Sequence, residues 1–234
     1  NWQRHNVYIN IIAKNCMGNN ELAHIVAGIL LMFVVSSLAF VLAGDTLSTV
    51  QTFVFSFVII AAPIIVRKAI AYSLDASVEH RIWHVYQYGL KHDDHFKKEA
   101  PFGLIIPLFF SLISLGLMKV MTFITYETRA LKHRAAKRFG FYSYTAMTDW
   151  HNGLIGASGI VTVLLISLVA YFPGFELLSK MAAFYAFWNM LPLWDLDGTQ
   201  ILFGSKILYS VLAVLTLIFT AYALVLCFLC FVRS

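Results

Sequence analysis

The stretch Asn189-Met190-Leu191-Pro192-Leu193-Trp194-Asp195-Leu196-Asp197-Gly198 closes a long apolar run. An Asn, a helix-breaking Pro three residues later and then Leu-Asp-Gly predict a helix that unwinds at its end. Such an end would aim a carboxylate into a protein-lined cavity, the one place where irregular backbone is tolerated at membrane depth. Taken alone, the same letters also describe a helix that stops at the surface with Asp195 and Asp197 in water.

The surrounding composition places this stretch in a membrane protein. Of 234 residues, 60% are hydrophobic and 12% charged, and the mean hydropathy is +0.76. A soluble globule and a disordered chain are both excluded. The fold class expected is an all-α polytopic membrane protein with a small membrane-associated β element. Residues 1–21 form a tail, and Met17 followed by GNNELAH reads as a natural start, so the first sixteen residues are set aside. Residues 22–66 form a two-helix transmembrane hairpin, with spans at 22–43 and 47–66 joined at Gly44 and Asp45. Residues 151–234 carry three further spans, at 153–171, 177–194 and 207–232, each near the roughly 20 residues a bilayer requires. Cys16, Cys227 and Cys230 are too few for a disulfide framework, and the last two sit in an apolar helix as small hydrophobes.

Residues 67–150 are the polar part. Strands are expected at 78–88 and 119–127, the segment KHDDHFKKE (91–99) as a hydrated loop, and the apolar run 102–115 as a re-entrant element too short to span. Twelve of the 17 Lys and Arg residues lie between Arg67 and Arg138. If 102–115 dips and returns, all twelve fall on one side, which the positive-inside rule makes cytoplasmic, in what is expected to be the cell membrane. The net charge of +5 therefore reports orientation, and no nucleic-acid partner is implied. The lipid bilayer is the expected surrounding, with five crossings.

At Asn189, Pro192, Leu196, Asp197 and Gly198 the chain resembles the site-2 protease family of intramembrane zinc metalloproteases, peptidase family M50, whose second motif is NxxPxxxLDG. The small-residue stretch LIGASGIVTVLL (154–165) is similar to the family's AGPxxN-type helix, and the EHRIW strand resembles archaeal members. The resemblance implies a site-2-protease-like transmembrane core, with an HExxH motif in an earlier helix. Its two histidines and the LDG aspartate would hold zinc, and its glutamate would handle the proton of the attacking water. Counting back from Asp75-Ala76, the HExxH window falls on Pro63-Ile64-Ile65-Val66-Arg67. Pro63 and Arg67 stand where the histidines belong and Ile64 where the base belongs, so the resemblance implies a kept fold and a lost active site.

Other histidines offer a weaker alternative. His80 and His84 have His-x-x-x-His spacing, but on a strand they lie about 13 Å apart at roughly 3.3 Å per residue, too far for one zinc. An aromatic-flanked interfacial pair is the plainer reading. His92-Asp-Asp-His95 reads as a solvated loop, and His24 with Glu21 as a helix-start capping or interfacial pair. Three functions follow as alternatives. The first is a catalytically inactive pseudoprotease that binds transmembrane clients or partners, with no cofactor expected. The second is an active intramembrane zinc metalloprotease using Asp197 with His80 or His84. The third is an accessory structural subunit of a membrane complex. In the inactive case an Arg67–Asp197 ion pair, assisted by Asn189, is expected to replace the metal as the link between two core helices. The competing expectation has Arg67 snorkelling to the interface and Asp197 hydrated.

Overall fold

The computed structural model describes residues 19–87, 95–116, 119–130 and 147–233. Cys16, His92 and the basic run after Ala130 lie outside the described residues. Helix α1 (Asn19–Ala43) turns at Gly44, whose φ of +73° suits a residue without a Cβ. Asp45 then caps α2 (Thr46–Ser73), accepting hydrogen bonds from the Ser48 backbone N–H at 3.2 Å and the Ser48 hydroxyl at 2.6 Å. The second helix does not stop where its apolar run stops at 66. It continues to Ser73, because Arg67 and Lys68 both find carboxylate partners inside the fold and so need not end it.

Strand β1 (Ala76–Ile82) pairs antiparallel with β4 (Ile124–Ala130), His80 lying opposite Tyr126 and Glu79 opposite Glu127. The expected strand 78–88 is broken at Trp83. This buried indole donates its backbone N–H to Phe123 and accepts from Gly103, which ends β1 and starts a separate β2 (Val85–Gln87). His95 is not in a loop as expected but opens β3 (His95–Ala100), which pairs with β2 and leads into the 12-residue helix α3 (Phe102–Ile113). The strand expected at 119–127 begins only at Ile124, and Val120 to Phe123 are buried as irregular chain before it.

Helices α4 (Asp149–Tyr171), α5 (Glu176–Met190), α6 (Asp197–Gly204) and α7 (Lys206–Arg233) complete the chain. Among the described residues four stretches are long and apolar enough to cross a membrane, Glu21–Ala43, Thr46–Ser73, Asp149–Tyr171 and Lys206–Val225. The span expected at 177–194 is a shorter helix. With 15 residues α5 rises about 22 Å against a hydrocarbon core of about 30 Å. It stops at Met190 because Pro192 drives Leu191 into extended backbone (φ −63°, ψ 135°). The chain still returns to the level of the start of α4, since Gly153 and Gly204 meet backbone to backbone.

Polar side chains sit among the apolar ones in the interior while many large apolar side chains face outward, as expected of helices packed in lipid. The face of α2 turned inward carries Thr52, Ser56, Ile59, Ile60, Pro63, Ile64, Arg67 and Ala71, while Val50, Phe53, Phe57 and Ile65 point out. Interior contacts come from Met32, Val35, Ile160, Val163, Met181 and Ala186 across α1, α4 and α5.

α3 covers only about 18 Å and buries a stripe of small residues, Gly103, Pro107 and Ser111, so the chain on either side of it should emerge on one face. Single cysteines placed at Lys97 and at Arg134 should react with an impermeant thiol reagent from the same side of the membrane. Labelling from opposite sides would mean that the segment crosses.

Candidate functional site

The motif segment is held open by three aromatic rings. Trp194 adopts a left-handed backbone (φ +43°) that bulky residues rarely accept. Its ring stacks on Phe102 at 6.5 Å and 12° and lies 5.9 Å from Trp83. Leu196 is fully buried against Trp83 and Val85. The turn into α6 brings Gly198 against the Met190 carbonyl, so close that a Cβ would overlap it. Leu-Asp-Gly therefore needs its glycine for a backbone approach, and the approach fixes the position of Asp197, the first residue of α6.

Asp197 meets Arg67. The guanidinium Nη2 of Arg67 donates to Asp197 Oδ2, and the two side chains are 2% and 1% exposed. Neither snorkelling of Arg67 nor hydration of Asp197 occurs. The guanidinium carbon also lies 5.0 Å from the centroid of the Tyr126 ring, in cation–π range. The site is moulded in α4, because a Cβ on Gly159 would coincide with the Arg67 guanidinium and one on Gly156 with the Tyr126 hydroxyl. That hydroxyl donates to the Asn152 carbonyl at 2.9 Å. Asn189 is buried beside this assembly but does not assist the pair. Its amide donates to Tyr185 O at 2.8 Å and to Met121 O at 3.1 Å, so it ties α5 to the chain entering β4.

A second buried cluster sits at the start of α1. Glu21 Oε1 accepts from the His80 backbone N–H at 3.2 Å, from His80 Nδ1 at 3.1 Å and from Lys68 Nζ at 2.9 Å. Glu21, expected only at a helix start beside His24, turns inward instead, since a buried carboxylate requires partners. Burial, with the nearby Arg67 and Lys68 charges, pushes the His80 imidazole down to about 4 despite its bond to Glu21. The ring is neutral at pH 7, with the proton on Nδ1 by its hydrogen bond. His84 instead turns Nδ1 to the carbonyl of Ile82 and sets its ring edge-on to His24 at 6.3 Å.

The candidate residues therefore fall into groups. Arg67 and Asp197 come together; His80 faces Glu21, and His84 faces Ile82 and His24. Pro63 and Ile64 share the buried face of α2 with Arg67, and neither carries a group that can accept a proton or bind a metal. Among the described residues no three His, Cys, Asp or Glu side chains converge. Sequence reasoning missed Tyr126, Gly159 and Lys68, and named Glu21 only as a neighbour of His24 at a helix start. For Gly159 a signal existed in the Gly153-x-x-Gly156-x-x-Gly159 spacing, which lines small residues along one helix face. No family model, curated protein or solved structure matches the chain.

Removing one partner of a buried ion pair strands the other charge, so Arg67→Met or Asp197→Leu should each cost about 3–5 kcal/mol. The double variant should regain much of that loss, and unfolding in mixed micelles checks both. A loss in the double variant equal to the sum of the two single losses would mean that the pair does not couple.

The sign for His80 follows from its lowered value. Between its ordinary 6.5 and about 4 the unfolded chain binds a proton that the folded chain refuses. Stability is therefore full above pH 6.5 and falls as the pH drops toward 4. Tyr126 lies opposite His80, with Glu21, Lys68 and Arg67 the ionisable groups around it. Thermal melts of wild type and His80→Gln across pH 4–7 should show a shallower acid slope in the variant.

Proposed function

We propose that this chain is a site-2-protease-like integral membrane protein that engages transmembrane segments of clients or partners without cutting them. The observation that carries the reading is the Arg67–Asp197 contact. The two residues that the resemblance aligns with metal ligands touch one another, from α2 and from α6. A guanidinium bonded through Nη2 to a carboxylate supplies the cross-link between helices that a metal would supply, and supplies no activated water. At the general-base position an Ile side chain accepts no proton. The displaced-ligand enzyme has less support, because His80 and His84 make their hydrogen bonds elsewhere. The β1–β4 pair offers a surface on which an unwound client can be held, since strand addition needs no metal. On this reading residues 67–150 are cytoplasmic in a cell membrane, following the basic residues.

Two experiments test the reading. Purified protein in liposomes, given a panel of labelled transmembrane peptides, should associate with some of them by energy transfer and cleave none, with zinc or chelator making no difference. Chelator-sensitive cleavage that disappears in Asp197→Asn would overturn the inactive assignment. The combined variant Pro63→His, Ile64→Glu, Arg67→His should bind about one zinc per chain, a requirement of three protein ligands with Asp197. A folded variant that takes up no zinc would overturn the site-2-protease-like core.

A further inference from the structure

The turn between α4 and α5 is sunken. Phe175, just before α5, sets its ring against Phe55 of α2 at 6.3 Å, and Phe55 lies about 13 Å along α2 from Thr46. Between those two levels α2 keeps exposed apolar side chains, Leu47, Val50, Phe53 and Val54, which belong in hydrocarbon. On the other side Tyr171, at the end of α4, packs edge to face on Tyr222 of α7 at 5.4 Å. From there α7 runs on to Arg233, about 16 Å further. The start of α5 therefore forms the floor of a notch between two taller neighbours.

Two features meet on that floor. One is a cavity of about 290 Å³ between Ser167 and Tyr171 of α4, Ser179 of α5, and Ile218, Phe219 and Tyr222 of α7. Its two serines are already engaged, the Ser167 hydroxyl donating to the Ser179 carbonyl at 2.9 Å and the Ser179 hydroxyl to the Ser167 carbonyl at 2.8 Å. The rest of the wall is hydrocarbon and aromatic ring, so the cavity suits an alkyl chain. The other feature is a charged pair, Lys180 Nζ lying 3.2 Å from Glu176 Oε2, with Glu176 57% exposed. One residue after Ser179 and three before it, the two fall within about 100° of it around the helix, and so stand over the same face. From Glu176 to Ser179, from Tyr171 to Ser167 and from Tyr222 to Ile218 the cavity descends one turn toward the middle of the membrane. An exposed carboxylate and ammonium at hydrocarbon depth need polar company. A molecule with a charged head and an apolar tail supplies that company and fills the cavity beneath it.

We infer that the notch binds one phospholipid whose headgroup carries a primary ammonium, a phosphatidylethanolamine, with its phosphate on Lys180, its ammonium on Glu176 and an acyl chain in the cavity. The pair is neutral as a whole and so is that headgroup, which sets one charge of each sign against one of each. A quaternary ammonium has no N–H to donate to the carboxylate, and a glycerol headgroup leaves a net negative charge facing Glu176. Along α4 the site lies about 18 Å from Gly159, which packs on the Arg67 guanidinium, so it is separate from the ion pair and does not rest on the client-binding function.

The test titrates the full chain, delipidated in detergent, with dioleoyl phosphatidylethanolamine, phosphatidylcholine and phosphatidylglycerol, and counts bound lipids by native mass spectrometry. One phosphatidylethanolamine per chain should bind, at least tenfold more tightly than either of the others. Glu176→Gln should bring its affinity down to that of phosphatidylcholine. Ile218→Trp, which fills the cavity from an exposed position, should weaken all three lipids about tenfold. Both substitutions lie at the surface, and each variant is checked to melt with the parent. Glycerophosphoethanolamine, the headgroup without its chains, should not compete at equal concentration. Absence of binding, equal affinity for the three lipids, a preference that survives Glu176→Gln, binding untouched by Ile218→Trp, or competition by the chainless headgroup each overturns the site.

Discussion

A guanidinium and a carboxylate, both shut away from water, set the terms for the rest of this molecule. Neither Arg67 nor Asp197 is tolerable at membrane depth alone, so α2 and α6 must be held where the two charges meet. That demand propagates outward. Gly159 has no side chain because the guanidinium occupies its place, and Gly198 has none because the turn delivering Asp197 presses on Met190. Tyr126 closes the pair from the sheet side, which in turn fixes Gly156 and Asn152. Replacing such a pair with well-packed apolar residues is often neutral or stabilising; what the pair fixes is the point at which α2 and α6 meet.

The Glu21 cluster does for α1 what the pair does for α6. One carboxylate gathers a strand N–H, an imidazole and a lysine, and in doing so ties the first helix to the second and to the sheet. Both clusters pair every formal charge they bury. Elsewhere the interior polar groups are mostly answered locally, as in α2, where Thr52 and Ser56 bond carbonyls one turn back, and between α4 and α5, where Ser167 and Ser179 each donate to the other's carbonyl. The outer faces of the helices carry many large apolar side chains, among them Val50, Phe53, Phe57 and Ile65 on α2.

Features that are local in sequence could be read from it. The motif Asn189 to Gly198 announces an unwound helix end through Pro192, and the helix does end there, although at Met190, because the proline acts on its predecessor. Arg67 was recognisable because a charge one turn beyond Pro63 on an otherwise apolar helix demands a partner. Features that depend on distant neighbours were hidden. Glu21 looks like a helix-start residue until Lys68 and His80, 47 and 59 positions away in the numbering, come to meet it. The break at Trp83 was hidden too, since its alternating surroundings read as one continuous strand, and only the approach of Gly103 and Phe123 interrupts it.

The outward face of the sheet carries a lattice of four charges, with Arg81 on Glu127 and Arg129 on Glu79, both at 3.2 Å. Yet Glu79 lies directly opposite Glu127, and a slip of two residues would instead set Glu79 against Arg129 and Arg81 against Glu127. The electrostatic optimum and the observed alignment differ. What forbids the slip is the inward face, because it would carry Tyr126 away from Asn152 and from its place under Arg67. Exposed pairs of this kind contribute little. The outer charges of the sheet can therefore drift over evolutionary time, exchanged or lost, while the strands keep their alignment and the interior keeps its shape.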